Sequence, residues 1–266
     1  MTNALFDLTG NVALVTGGNS GIGRAIALTY AAAGAAVAIA GRNSDKNAAV
    51  LAELRDAGHP AMALELDVSD RQQIKPAVEL IERELGAVSI LVNNAGSGTL
   101  GGVLTLELDE WDRVMETNLT GPFILSKYAA QSMVRSGRGK IINIASASAF
   151  YGYARLTAYA VSKAALLHLT KCMAVELGPF NVQANAIIPG WIDTDMARRM
   201  KESPVYPETV ALTPAGRWGV PQEIANAALF LASSASDYVN GATLTVDGGM
   251  TQTYGAARPV FDLPDF

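Results

Sequence analysis

An open, doubly wound α/β sheet with helices on both faces is the fold this sequence predicts, and three observations carry the prediction. Short apolar runs rich in Val, Ile and Ala recur along the chain, as in strands buried on both faces of a parallel sheet. Segments long enough for helices separate them, which is the alternation of a βαβ fold. Polar and glycine residues gather just after the runs, on the edge where such sheets bind ligands. The length of 266 residues suits one domain of this kind.

The elements follow in order. Val12 to Thr16 is an apolar strand, and Gly17-Gly-Asn-Ser-Gly21-Ile-Gly23 is a glycine turn directly after it. A helix from about Gly21 to Ala33 stops at Gly34, a residue suited to a helix C-terminus. Ala36 to Ala40 is the second strand, which completes a dinucleotide-binding βαβ unit. The glycines let backbone N–H groups and the helix N-terminus approach a pyrophosphate. Helix Ser44 to Gly58, strand Ala61 to Leu66 and helix Asp70 to Leu85 continue the alternation. Strand Ile90 to Val92 runs into Asn93-Asn-Ala-Gly96, and one long helix is expected from Leu108 to Arg135. Strand Lys140 to Ala145 ends at Ser146, helix Thr157 to Leu177 follows, and strand Val182 to Ile188 ends at Pro189-Gly190. Helix Pro221 to Ala232, with proline in its first turn, and strand Leu244 to Val246 close the count at about seven strands. Asp193 to Thr213 is polar and weakly periodic; residues 194–213 are expected to form a substrate lid.

Composition excludes several functions. Half of the residues are hydrophobic, 17% are charged and the net charge is −5, which argues against a nucleic-acid-binding face. The densest basic group, Arg198-Arg199 with Lys201, reads as a solvated helix face. One cysteine, Cys172, and two histidines give neither a disulfide nor a metal cluster, and the apolar neighbours of Cys172 suggest a packed thiol. The stretch from Met1 to Asp7 has no basic region of a signal peptide, and Ala25 to Ala40 is broken by Gly34 before it reaches membrane length. A soluble, cytoplasmic protein is expected.

Chemistry enters at Tyr159-Ala-Val-Ser-Lys163. Residues four apart share a helix face, so the phenol and the ammonium are neighbours there. A cation beside a tyrosine favours the phenolate, lowers its pKa and makes it a general acid/base. The pair alone is a weak signal, but it stands among others. Thr16-Gly-x-x-x-Gly21-x-Gly23, Asn93-Asn-Ala-Gly96, Asn118, Ser146 thirteen residues before Tyr159, and Pro189-Gly-x-x-x-Thr194 occur in order. From Val12 to about Met250 these motifs resemble the short-chain dehydrogenase/reductase family. The resemblance implies a single-domain Rossmann-like enzyme acting on CH–OH groups, a carbonyl reductase or alcohol dehydrogenase.

The resemblance also implies roles. Tyr159 would exchange a proton with the substrate oxygen, and Lys163 would lower its pKa and hold the nicotinamide ribose. Ser146 would hold the substrate oxygen, and Asn118 would organise a water leading to Lys163. Gly17, Asn19, Ser20, Gly21, Ile22 and Gly23 would carry the pyrophosphate. Asp67 and Val68 would lie by the adenine, and Asn94, Ala95 and Gly96 along the cofactor. Pro189, Gly190, Ile192 and Thr194 would meet the nicotinamide end. Pro122, four residues after Asn118, denies the Asn118 carbonyl its helical donor. Either that carbonyl holds the relay water, or the proline only kinks the helix.

The second strand ends in Gly41, where an acid would bind a ribose 2′-hydroxyl, and Arg42 follows. A guanidinium suits a 2′-phosphate, so NADP is favoured over NAD, with Asn43 able to assist either. Places after strands nominate Ser97, Ser148, Tyr151, Tyr153, Trp191 and Met196 around a small-molecule substrate, with ordinary packing as the alternative for each. Small ketones, polyols and sugar acids stay open. A 3-oxoacyl thioester reductase is the runner-up, and a nucleotide sensor without catalysis the remote alternative. The helix at Tyr159 is apolar on more than one face, which suggests a homo-oligomer, dimer or tetramer. The tail from Thr251 to Phe266 carries apolar groups that either dock on a neighbouring subunit or belong to a disordered end.

Overall fold

Runs of β-branched and small apolar residues build the sheet. The strands are β1 (Val12–Thr16), β2 (Ala36–Gly41), β3 (Ala61–Glu65), β4 (Ile90–Asn93), β5 (Gly139–Ile144), β6 (Val182–Pro189) and β7 (Thr243–Val246). The structure, a computed structural model, describes residues 4–253. All pairings are parallel, in the order β3-β2-β1-β4-β5-β6-β7. The order reverses between β1 and β4, and the crevice outside their carboxyl ends is where ligands bind in such sheets. Every residue of β1, β4, β5 and β6 is buried, which explains why these strands read as continuous rather than alternating runs.

Alternate side chains serve opposite faces. On one, Ala13, Val15, Val37, Ile39, Val92 and Ile187 pack against α1 (Gly21–Ala32) and α9 (Pro221–Ala232). The Tyr30 hydroxyl ties these two helices by donating to the Ala228 carbonyl at 2.9 Å. On the other, Leu14, Ala38, Leu91 and Ile141 pack against α3 (Arg71–Glu84) and its neighbours. The remaining helices are α2 (Ser44–Asp56), α4 (Leu108–Met115), α5 (Gly121–Ser136), α6 (Thr157–Leu177), α7 (Arg198–Lys201) and α8 (Tyr206–Ala211).

Three expectations change. The helix expected from Leu108 to Arg135 is interrupted by a wide π turn at Glu116–Thr120, where the Gly121 N–H reaches back to the Glu116 carbonyl. Pro122 is the physical reason: it has no N–H for Asn118 and its ring crowds that carbonyl, so the preceding turn widens. The segment 194–213 is not irregular, since it holds a 3-10 turn at Asp195–Ala197 followed by α7 and α8. Cys172 is exposed rather than packed. On α6, Val161 and Val175 are exposed too, so only one apolar face of that helix is covered within the single chain. No helix among the described residues is long and apolar enough to cross a membrane. The tail beyond Thr253 lies outside the described residues.

Candidate active site

A cleft of about 620 Å³ opens at the carboxyl ends of the strands, over the point where the strand order reverses. Its floor is the glycine turn. Gly17 adopts φ +64°, a conformation that L side chains rarely take, and an added Cβ there would meet Asn94 Nδ2 at 2.8 Å. The Asn94 amide donates to the Thr16 and Gly17 carbonyls at 2.9 and 3.3 Å, and Thr16 Oγ1 accepts from the Asn94 and Ala95 N–H groups. The two crossing loops are thus locked together. Gly17, Asn19, Ser20, Gly21, Ile22, Asp67, Val68, Asn94, Ala95 and Gly96 all line the cleft. Gly23 does not; a Cβ there would lie 2.2 Å from the Gly17 carbonyl, so it is a packing glycine that brings α1 onto the turn. Asn93 points away, donating to Asn143 Oδ1 and Ser126 Oγ in the interior.

The end of β2 borders the cleft, where an acid would bind a ribose 2′-hydroxyl. Gly41 and Arg42 line the cleft, and no carboxylate stands at the end of that strand. Burial disfavours the charge on Asp67, but hydrogen bonds from Ser69 and the field of Arg42 outweigh it and hold that carboxyl below its ordinary value. Asn43 is not part of the cleft. Its side chain accepts from the Lys46 N–H at 2.8 Å and caps α2, which is the commoner task for asparagine ahead of a helix. A residue that sequence reasoning missed organises this corner. Asn47 is 3% exposed, accepts from Asn19 Nδ2 at 2.7 Å and donates to the Gly41 and Leu64 carbonyls. Its signal was a polar residue on the same helical face as Val50 and Leu54, both buried.

The catalytic candidates meet at the middle of the cleft. Ser146, at the end of β5, and Tyr159 and Lys163, on the first turns of α6, all line it. Ser146 Oγ accepts from the Ser148 N–H at 3.2 Å and from Ser148 Oγ at 2.9 Å. Ser148 lines the cleft too, and its hydroxyl donates to Ser146 Oγ and helps to orient it. Burial raises the Tyr159 pKa above its ordinary value, and the Ser146 hydrogen bond opposes this. Burial also pushes Lys163 down to about 8. Lys163 Nζ donates to the Ile144 carbonyl at 2.8 Å and lies 5.8 Å from the centre of the Tyr159 ring. The expectation of a tyrosine pKa lowered by its lysine is therefore corrected. The pair share a face as the spacing requires, but desolvation of the phenol is the larger effect, and the ammonium is turned to a backbone oxygen.

Asn118 is fully buried and does not line the cleft. Its Oδ1 accepts from the Ser97 N–H at 2.8 Å, and its Nδ2 donates to the Ser97 carbonyl and to Ser162 Oγ. The side chain thus pins the loop after β4 to α6 one residue before Lys163. Ser97 also stays outside the cleft lining, and its buried hydroxyl has no partner among the described residues.

The far wall comes from the end of β6 and from loops. Pro189, Gly190, Trp191, Ile192 and Thr194 line it, as do Tyr151 and Tyr153, whose rings lie 5.5 Å apart. Trp191 is held by stacking on Trp218 at 5.3 Å, with Tyr206 of α8 edge-on to Trp218 at 5.0 Å. The Met196 side chain lies outside the described residues. Sequence reasoning missed Leu100, Leu156 and Met250, which line the cleft as isolated apolar residues of irregular segments without periodicity. Arg199 is exposed, as a solvated face requires, and it also borders the cleft.

A family model described as Enoyl-(Acyl carrier protein) reductase matches residues 17–251. A 2-dehydro-3-deoxy-D-gluconate 5-dehydrogenase of Formosa agariphila is 38% identical over 96% of this chain and 98% of its own. A 3-oxoacyl-(acyl-carrier-protein) reductase of Aquifex aeolicus is 39% identical over 91% of this chain and 98% of its own. The crystal structure of a gluconate 5-dehydrogenase from Burkholderia cenocepacia, in complex with NADP and tartrate, superposes with a TM-score of 0.90 at 39% identity. It covers 94% of this chain and 99% of that one.

Proposed function

Because the chain belongs to the short-chain dehydrogenase/reductase family, we propose that it is an NADP-dependent oxidoreductase acting on a sugar acid, at the level of a secondary alcohol and its ketone. The single observation that carries the reaction type is the convergence of Ser146, Tyr159 and Lys163 on one cleft with the glycine turn. When bound, the nicotinamide supplies or takes up the hydride. In the reducing direction negative charge grows on the substrate oxygen, and the hydroxyls of Ser146 and Tyr159 meet it. Tyr159 gives up its phenolic proton to that oxygen, and Lys163 offsets the charge left on the phenol. Ser148 holds Ser146 in place and Asn118 holds α6 in place; both act as positioning residues.

The sugar-acid reading rests on the relatives that act at C5 of gluconate-type acids, and the hydroxyls of Tyr151 and Tyr153 on the cleft wall suit such a substrate. The test is to follow NADPH and NADH oxidation with a panel of 5-keto sugar acids, neutral ketoses and an acetoacetyl thioester. Preference for the thioester would replace this reading with the carrier-protein one that the Aquifex aeolicus relative represents.

Gly41 and Arg42 support NADP. Gly41→Asp should swing the NADPH-to-NADH ratio of kcat/KM towards NADH by about ten- to a hundredfold, because a carboxylate repels the 2′-phosphate and accepts from the 2′-hydroxyl. The new Cβ would lie 2.4 Å from Asn19 Nδ2, so Asn19 must swing away from Asn47 in the variant. An unchanged ratio would show that the phosphate is read elsewhere. The segment 194–213 forms a lid in this reading, held on α2 by Lys46 and Asp195, 3.7 Å apart. A homo-oligomer, dimer or tetramer, is supported by exposed Phe123 on α5 and by Val161 and Val175 on α6. Sedimentation should give a mass of two or four chains, and a monomer at micromolar concentration would remove that element.

A further inference from the structure

Three cations line the cleft among the described residues: Arg42, Lys163 and Arg199. Two have tasks. Arg42 stands beside Asp67 at the ends of β2 and β3, where the adenosine end of a dinucleotide belongs. Lys163 is buried next to the reacting tyrosine. Arg199 has neither task, and it differs from its neighbours. In the stretch from Asp193 to Lys201 every other charged side chain is paired: Lys201 with Asp193, Arg198 with Asp195, and Asp195 also with Lys46 of α2. Arg199 has no hydrogen bond or ion pair among the described residues, although Asp195 is one helical turn away. Of these pairs, Asp195 with Lys46 ties the segment to α2, and the other two lie within the segment itself.

We infer that Arg199 is the anchor for the carboxylate of the substrate, and so the residue that selects an acid over a neutral ketose. The inference rests on the sugar-acid reading above and names the group that would enforce it. A planar guanidinium matches a carboxylate with two parallel N–H donors, which fixes orientation as well as charge. The reacting carbonyl must sit at Ser146 and Tyr159, while the carboxylate of a C5-reacting acid is four carbons away. A second fixed point elsewhere on the same cleft would align the chain of hydroxyls between them. The cofactor's phosphates share this chemistry. The substrate carboxylate is the better claimant because the glycine turn and Arg42 already provide for the phosphates.

The experiment compares the natural protein with Arg199→Gln and Arg199→Lys, using NADPH with 5-keto-D-gluconate and with a neutral ketose of equal length. Arg199 is exposed, so the variants should fold, and their melting temperatures check this. For Arg199→Gln the acid-to-neutral ratio of kcat/KM should fall about ten- to a hundredfold, mostly through KM for the acid. Arg199→Lys should recover part of the ratio, since charge remains but the two-donor fork is lost. A ratio unchanged in Arg199→Gln, in an enzyme that does prefer the acid, overturns the inference and leaves the sugar-acid reading standing. A raised KM for NADPH with an unchanged ratio overturns it in favour of a phosphate contact. A natural enzyme with no preference for the acid sinks the sugar-acid reading and this inference with it.

Discussion

Tyr159→Phe should lower kcat/KM by about a thousandfold in both directions, because it removes one oxygen and with it the proton donor. The side chain lines the cleft beside Ser146, and phenylalanine fills the same space, so the melting temperature should move little. The pH profile makes the test specific. Burial holds the phenol above its ordinary pKa, with the Ser146 hydrogen bond opposing. The group is therefore protonated at neutral pH and ready to act as an acid. Reduction of a ketone should be level through neutrality and decline on the alkaline side, first as Lys163 loses its charge near pH 8. Oxidation of the alcohol needs a base and should climb with pH as the phenolate forms. In Tyr159→Phe the residual rate should lose the tyrosine-dependent limb. A variant that keeps a tenth or more of the activity, with the natural pH profile, would assign the proton to another group.

Lys163→Met should separate stability from catalysis. Turnover should drop about a hundred- to a thousandfold, since the charge that offsets the developing phenolate is gone. Stability should respond in the opposite sense over a defined pH range. Burial lowers the Lys163 pKa from 10.5 to about 8 in the folded chain. Below pH 8 the ammonium is present in both folded and unfolded chains, and the folded one bears the full cost of desolvating it. Between 8 and 10.5 the unfolded chain binds the proton more strongly, so the natural protein gains stability as pH rises. Above 10.5 the cost has vanished. The melting-temperature difference between Lys163→Met and the natural protein should therefore be most favourable to the variant near pH 7 and shrink through pH 8 to 10.5. The Ile144 carbonyl loses its donor in the variant, a cost that does not vary with pH and so cannot mimic the trend. A difference that is flat with pH would show that Lys163 is not held with a lowered pKa.

Much of the site is legible in the residue order because its parts obey local rules. Strands buried on both faces announce themselves as apolar runs, and ligand-facing residues must come just after them. Ser146 and Asp67 stand just after strands, and the family resemblance supplied the roles given to them and to Gly96 and Thr194. What stayed hidden depends on who meets whom across the sheet. Asn43 and Asn47 look alike on paper, yet one is an exposed helix cap and the other a buried bracket for Gly41 and Asn19. Ser148 and Ser146 are two residues apart, and only the turn at Ala147–Ala149 makes one the support of the other. The π turn before Pro122 was foreshadowed by the proline, but its extent follows from how Gly121 reaches Glu116.

The amino-acid sequence by itself determined the doubly wound sheet, the nucleotide turn and the shared helix face of Tyr159 and Lys163, because hydrophobic period, glycine geometry and helical spacing are properties of neighbours in the chain, whereas Asn118 and Ser146 were named through the family resemblance. The tertiary structure decided the protonation of the pair and the fate of the cations. Desolvation, which keeps the phenol protonated and loosens the lysine's hold on its proton, depends on the packing of β5, α6 and the loop after β4 around them. The pairing that occupies Arg198 and Lys201 and leaves Arg199 to the cleft depends on where the segment after β6 comes to rest. Both are sums over groups distant in sequence, and only the folded chain brings those groups within range.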